Sequence, residues 1–189
     1  MKYYKLLYDY ENDEQYINCD ESCIGNLDEY CVKKGIPQER WGNVTFTYDS
    51  REGSILSDYA ANSLTWLLVS EKCYHLIREK ISDNCIQFLP VRLIDRAEKQ
   101  RPTGYYALNI LDIVENAVNM EKSKYTLFGS GDCKLVSFQK YVLRTESING
   151  LHIFKLKEAP FSVFVSELIR ESIVQNGMTG FDFLEISVT

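Results

Sequence analysis

The chain of 189 residues is 45% hydrophobic and 13% aromatic and carries a formal net charge of −6. That is enough apolar material to bury the core of one domain. The opening MKYYKLLYDYENDEQY is broken at Lys2, Lys5 and Asp9 and so lacks the apolar stretch of a signal peptide, and no later run is long enough to cross a bilayer; a single cytoplasmic domain spanning 1–189, with no membrane role, is expected.

In chain order, KYYKLLYDY alternates as an opening strand does, and CDESCIGNLDEYCVKKGIPQERW has room for a short helix around Leu27 to Lys34, stopped by Gly35 and Pro37. NVTFTYD puts Val44, Phe46 and Tyr48 on one face and Thr45 and Thr47 on the other, the period of two of a half-buried strand. LLVSE at Leu67 to Glu71 then leads into a stretch with Cys73, Leu76, Ile77 and Ile81 at helical spacing, and FLPV at Phe88 to Val91 reads as the strand that follows. GYYALNIL, KLVSFQKYVLR and LHIFKL read as further strands, with SGDCK and SINGL as turns between them, while ILDIVENAVNMEKS fits a strand end or a helical turn. Near the C-terminus the earlier order returns: VFVSE at Val163 to Glu167, an apolar stripe through Leu168, Ile169 and Ile173 halted at Gly177, and FLEI at Phe183 to Ile186. The fold class implied is α+β, a largely antiparallel sheet with a few packed helices, containing two similar strand–helix–strand units.

The serines at the two Val-Ser-Glu sites, Ser70 and Ser166, are expected to cap the helices they precede, since a hydroxyl there accepts from a first-turn N–H and the following glutamate favours the positive end of the helix. A nucleophile elbow would need glycines where Val and Glu stand. Gly177 is expected to end the second helix in a left-handed conformation and Gly180 to serve the turn into the last strand. His75 has no acid and nucleophile to work with, and GSGD at Gly129 to Asp132 lacks the lysine and length of a phosphate loop. Six irregularly spaced cysteines without a Cys-x-x-Cys pair read as free thiols, and no zinc ligand set has the right spacing. Neither an enzyme nor a cofactor is implied.

Charge is local. From Leu7 to Cys31 there is no Lys or Arg, while Asp9, Glu11, Asp13, Glu14, Asp20, Glu21, Asp28 and Glu29 carry eight negative charges, so the remainder of the chain is net +2. Such a field repels nucleic acid and steers a basic partner toward itself. Tyrosines interleave with it, and Asp9, Tyr10, Glu11, Asp13, Glu14, Tyr16, Asp20 and Glu21 form the candidate partner-binding stretch, against the alternative of a solvated face.

The succession LLVSEKCYHLIRE, IQFLPVRL, YYALNILDIVENAVNMEKS, LHIFKL and VFVSELIRESIVQNGMTGFDFLE resembles the bacterial immunity proteins of polymorphic toxin systems catalogued as the eleventh immunity type. The resemblance runs mainly over 67–189. Its most specific pieces are Ser166-Glu167 followed by Gly177-Met178-Thr179-Gly180-Phe181, and Asn109 with Glu121 and Ser123. Asn119 departs from the acidic residue usual before the Glu-x-Ser. The resemblance implies a stoichiometric inhibitor of a cognate toxin domain, with a basic partner suggested by the charge and a homodimer compatible with it. A generic binding or regulatory module without a toxin partner stands as the alternative, with a small hydrolase more distant.

Overall fold

The computed structural model describes residues 1–82, 84–98, 104–129 and 135–189, apart from the side chains of Glu21, Ser22 and Leu135. Most of the expected GSGD turn, 130–132, lies outside these residues. The elements run β1 (Tyr3–Tyr8), β2 (Asp20–Cys23), α1 (Tyr30–Lys33), β3 (Thr45–Tyr48), β4 (Tyr59–Ala60), β5 (Leu68–Ser70), α2 (Glu71–Arg78), β6 (Ile86–Asp95) and β7 (Tyr105–Ile110) in the first part of the chain. They continue as β8 (Ile113–Val114), β9 (Lys124–Phe128), β10 (Leu135–Lys140), β11 (Val142–Leu143), α3 (Thr145–Ile148), β12 (Ile153–Leu156), β13 (Ala159–Ser166), α4 (Glu167–Gln175) and β14 (Phe181–Val188). The class is α+β. The expected first helix shortens to the single turn of α1, and the ambiguous ILDIVENAVNMEKS resolves into the two-residue β8 followed by irregular chain, with Asn116 at φ 57°.

The strands form two six-stranded sheets, ordered β8-β12-β13-β1-β14-β11 and β4-β5-β7-β6-β3-β2, and a separate β9–β10 pair. In the second sheet β5 and β6 are both antiparallel to β7, which lies between them, so the β5–α2–β6 unit is a parallel pair joined by a helix and split by an inserted strand. The C-terminal unit has the same plan: β13 and β14 are both antiparallel to β1, which is inserted between them. The likeness extends outward, since β4 and β12 flank β5 and β13 antiparallel, and β3 and β11 run parallel to β6 and β14. The doubled sequence pattern is thus a split strand–helix–strand unit used once in each sheet.

Burial follows this layout. A central cluster takes Val69, Ile86, Leu108 and Ile110 from one sheet, Tyr4, Ile153 and Val165 from the other, and Cys73, Ile77, Ile169 and Ile173 from α2 and α4. The opposite face of each sheet has its own cluster, Phe46, Leu68, Leu93 and Trp66 on one side and Tyr3, Phe154, Phe164 and Leu143 on the other. With both faces covered, β7 and β12 read as nearly continuous buried runs rather than alternating ones.

The two helix starts differ in what their serines do. The Ser70 hydroxyl accepts from the Cys73 N–H at 3.2 Å and donates to Asp58 Oδ1 at 2.6 Å. Ser166 also occupies the position before its helix with extended backbone, yet its side chain makes no cap bond, which corrects the expectation from sequence. It is fully buried, and its Oγ lies 3.0 Å from His152 Nδ1, while the Glu167 N–H is met by the Lys2 carbonyl of the chain entering β1. The partners occupy matching places: the Ser70 N–H donates to the carbonyl of Asp58, one residue before β4, and the Ser166 N–H to that of His152, one residue before β12. Asp58 has a further role, because its Oδ2 accepts from the Thr179 N–H at 3.0 Å and its own N–H donates to Thr179 Oγ1 at 3.0 Å, binding the first unit to the loop after α4.

That loop is shaped by two glycines. Gly177, at φ 60°, donates its N–H to the Val174 carbonyl, and Met178 donates to Ile173, the paired bonds that close a helix through a left-handed residue. Gly180, at φ 84°, passes so close to the Tyr59 carbonyl and Ser57 Oγ that a Cβ would collide with both. A Gly177→Ala variant is expected to lose about 1 kcal/mol, and Gly180→Ala distinctly more; urea unfolding of both variants checks the order.

Lys155 ties the two sheets together from within. It is 3% exposed on β12, and its Nζ donates to the Val32 and Lys33 carbonyls at 2.9 and 2.5 Å, capping the C-terminus of α1. Burial lowers its pKa to about 8 from the free-lysine value of 10.5. Between those values the unfolded chain holds a proton that the folded chain has lost, so this residue's contribution to stability rises with pH through that window. The unfolding free energy of the wild type minus that of Lys155→Met should therefore grow from pH 7.5 to 10.5, by up to about 1 kcal/mol per pH unit. Tyrosine and cysteine ionisation, which acts in the opposite sense, cancels in that difference; denaturant unfolding at a series of pH values measures it.

Candidate functional site

β1 delivers the acidic segment. After Tyr8 the chain turns at Asp9, whose carboxylate accepts from the N–H groups of Glu11 and Asn12, from Asn12 Nδ2 at 2.8 Å and from the Tyr16 hydroxyl at 2.9 Å. Burial alone would raise the Asp9 pKa, but these bonds outweigh it and hold the carboxyl below its ordinary value. Tyr16 is 6% exposed, and its oxygen also accepts from the Gly180 N–H at 3.3 Å. Asp9, half-buried, and Tyr16, buried, are therefore engaged in holding the segment against the loop after α4. Asp9→Ala should destabilise the fold by about 1 to 2 kcal/mol, whereas Glu14→Ala should stay within roughly 0.5 kcal/mol; thermal or urea melts separate the two.

The other residues of the stretch divide differently. Tyr10 is 76% exposed, Glu11, Glu14 and Asp20 are exposed, and Asp13 is half-buried on a single 3-10 turn, Asp13–Gln15. The Glu21 side chain lies outside the described residues. Asp20 is met at 3.3 Å by Arg96 from the end of β6, so the surface is less purely acidic than the run of sequence suggests.

Between this segment and β4 lies a cleft of ≈ 390 Å³ with Tyr8, Tyr10, Asp13, Asp20, Tyr59 and Asn62 among its lining residues. Tyr10 and Tyr59 each meet the Tyr8 ring edge to face, with centroids 5.1 and 5.6 Å away. Tyr8 is 9% exposed, and its buried hydroxyl makes no hydrogen bond of normal geometry among the described residues. Desolvation raises its pKa, and so next does the neighbouring Asp13 carboxylate, first through a hydrogen-bonding interaction looser than a bond of normal geometry and then through its charge. Cys19 also borders the cleft, but burial and then the Asp20 charge push its thiol up to about 12, which keeps it protonated near neutrality. Among the described residues no group of three or more His, Cys, Asp and Glu side chains is placed to hold a metal ion.

Sequence reasoning did not find Tyr8 or Tyr59 as site residues. Tyr8 looked like one more alternating strand residue, and Tyr59 carried no local signal at all. Their meeting depends on the contact of β4 with the loop after α4, made by the Tyr59 N–H donating to the Thr179 carbonyl at 3.0 Å.

The residues most specific to the family resemblance have scaffold roles. Thr179 and Gly180 bind Asp58, Tyr59 and Tyr16 as described. Asn109, fully buried, donates to the Ile36 carbonyl at 2.8 Å and to Gln87 Oε1 at 3.0 Å, and Ser123 Oγ accepts from the Val142 N–H at 3.0 Å. Asn119 accepts from the Lys122 N–H through its Oδ1 and organises the turn locally. His75 is exposed beside Tyr74, and no nucleophile is bonded to it.

An α+β scaffold of two split units presenting an acidic, tyrosine-lined cleft has the character of a binding protein. The model of the Immunity protein family (Imm11) matches residues 7–188, and the chain belongs to that family. The match takes in the acidic segment as well as 67–189, so the N-terminal part falls inside the shared region. No curated protein matches the chain. Among the described residues no helix is long and apolar enough to cross a membrane.

Proposed function

We propose that this chain, acting as a single domain in the cytoplasm, binds a cognate toxin domain and neutralises it by stoichiometric contact rather than by catalysis. The family match over residues 7–188 is the observation that carries this reading, since immunity families are defined by partnership with a toxin. Charge supports a basic toxin face: Glu11, Glu14 and Asp20 stand exposed on the acidic segment, and Tyr10 and Asp20 line the cleft. A complementary field of this kind accelerates encounter, and aromatic anchors slow release.

Co-expression with the toxin domain encoded beside this chain is expected to restore growth, and the purified pair to form a complex of defined stoichiometry; continued toxicity with no complex would refute the proposal. Reversal of Glu11, Glu14 and Asp20 to Lys is expected to slow association at low salt by about tenfold or more and to flatten its salt dependence, with a smaller effect on dissociation. Stopped-flow association across a salt series makes that measurement.

A further inference from the structure

We infer that the cleft between Tyr8, Tyr10, Asp13, Asp20 and Tyr59 is a receptor for one guanidinium side chain, an arginine of the partner toxin. This deepens the immunity reading and rests on it for the arginine's source, although the chemistry of the cleft stands on its own. Four observations converge. The cleft, at ≈ 390 Å³, lies at the small end of the roughly 300–1,000 Å³ typical of ligand sites, a size suited to one long side chain rather than to a helix or strand. Three tyrosine rings wall it, and aromatic faces favour a flat, weakly hydrated cation over a compact, strongly hydrated ammonium.

The third observation is the Tyr8 hydroxyl of the cleft lining, buried and, among the described residues, without a hydrogen bond of normal geometry, the Asp13 carboxylate lying close to it. A buried hydroxyl without a partner is uncommon, and an incoming donor would satisfy it. The fourth is the placing of two carboxylates: Asp13 beside that hydroxyl and Asp20 also in the cleft lining. Guanidinium carries five N–H donors in a fixed fork, enough to meet a carboxylate and the hydroxyl together. A carboxylate ligand would be repelled by the aspartates, and an apolar one would leave the hydroxyl and the Asp13 carboxylate without a donor. Arg96 already pairs with Asp20 at 3.3 Å, an internal precedent for a guanidinium on that carboxylate.

The test titrates the full chain with N-acetyl-arginine methylamide and follows backbone amide NMR shifts. The neutral isostere N-acetyl-citrulline methylamide and the corresponding lysine amide serve as comparisons. Saturable shifts confined to Tyr8, Tyr10, Asp13, Tyr59 and Asn62 are expected for the arginine probe, with weaker binding of the lysine probe and none of citrulline. Asp13→Asn should weaken the arginine probe about tenfold, and Tyr8→Phe, which removes only the hydroxyl, a few-fold with no loss of thermal stability. Equal response to citrulline, equal affinity for lysine, or non-saturating shifts spread over Glu11 and Glu14 would overturn the assignment. Growth protection is scored separately: a chain that protects while its cleft ignores the arginine probe keeps the immunity reading and loses this one, and a chain whose cleft binds without protecting does the reverse.

Discussion

The structure hangs on the insertion of β1 between β13 and β14. The first strand of the chain fills the gap in a unit that is not made until the last thirty or so residues, with Tyr3 opposite both Ser166 and Ile186. Closing so long a loop costs conformational entropy before any ladder bond is formed. Its consequence is positional. Because β1 is held on both sides, the chain leaves it at Tyr8 in a fixed direction, and the Asp9 N–H is bound at once to the Gly180 carbonyl at 3.1 Å. The acidic segment is therefore set against the C-terminal loop and the edge of the second sheet, where the cleft forms.

The two split units show how one backbone plan supports different polar chemistry. Each has a serine at the strand–helix junction whose N–H reaches the residue before a flanking strand, Asp58 in one case and His152 in the other. With a carboxylate as partner, the Ser70 hydroxyl donates to Asp58 and still has a lone pair for the Cys73 N–H. With an imidazole as partner and full burial, the Ser166 hydroxyl is directed away from the helix. Asp58 has a second carboxylate oxygen, and that oxygen takes the Thr179 N–H, so the first unit holds the second by a bond that a histidine could not make in the same way. Thr179, Gly180 and Asn109 thus maintain the scaffold.

The acidic segment illustrates why charge counted along a chain differs from charge on a surface. Asp9 spends its carboxylate on local N–H groups and Tyr16, and Asp20 faces Arg96 from a strand more than seventy residues away. Tyr10, Glu11 and Glu14 remain exposed near a cleft whose lining includes Asp13, Asp20 and three tyrosines.

By itself the sequence determined the α+β class, the two strand–helix–strand units, the cap at Ser70, the left-handed end at Gly177, the alternation of Val44, Phe46 and Tyr48, and the immunity family. These are consequences of period, capping and backbone freedom, which act over a few residues and are written locally, or of motifs written in order. The tertiary structure alone decided that a strand is inserted into each unit, that Ser166 turns to His152, that Asp9 and Tyr16 serve the fold, and that Tyr8, Tyr59 and Asp13 share a cleft. The physical reason is the same in each case: a side chain's hydrogen-bond partner and a strand's neighbour are chosen by what the folded chain brings within about 3 Å, and groups distant in sequence compete there on equal terms with groups next door.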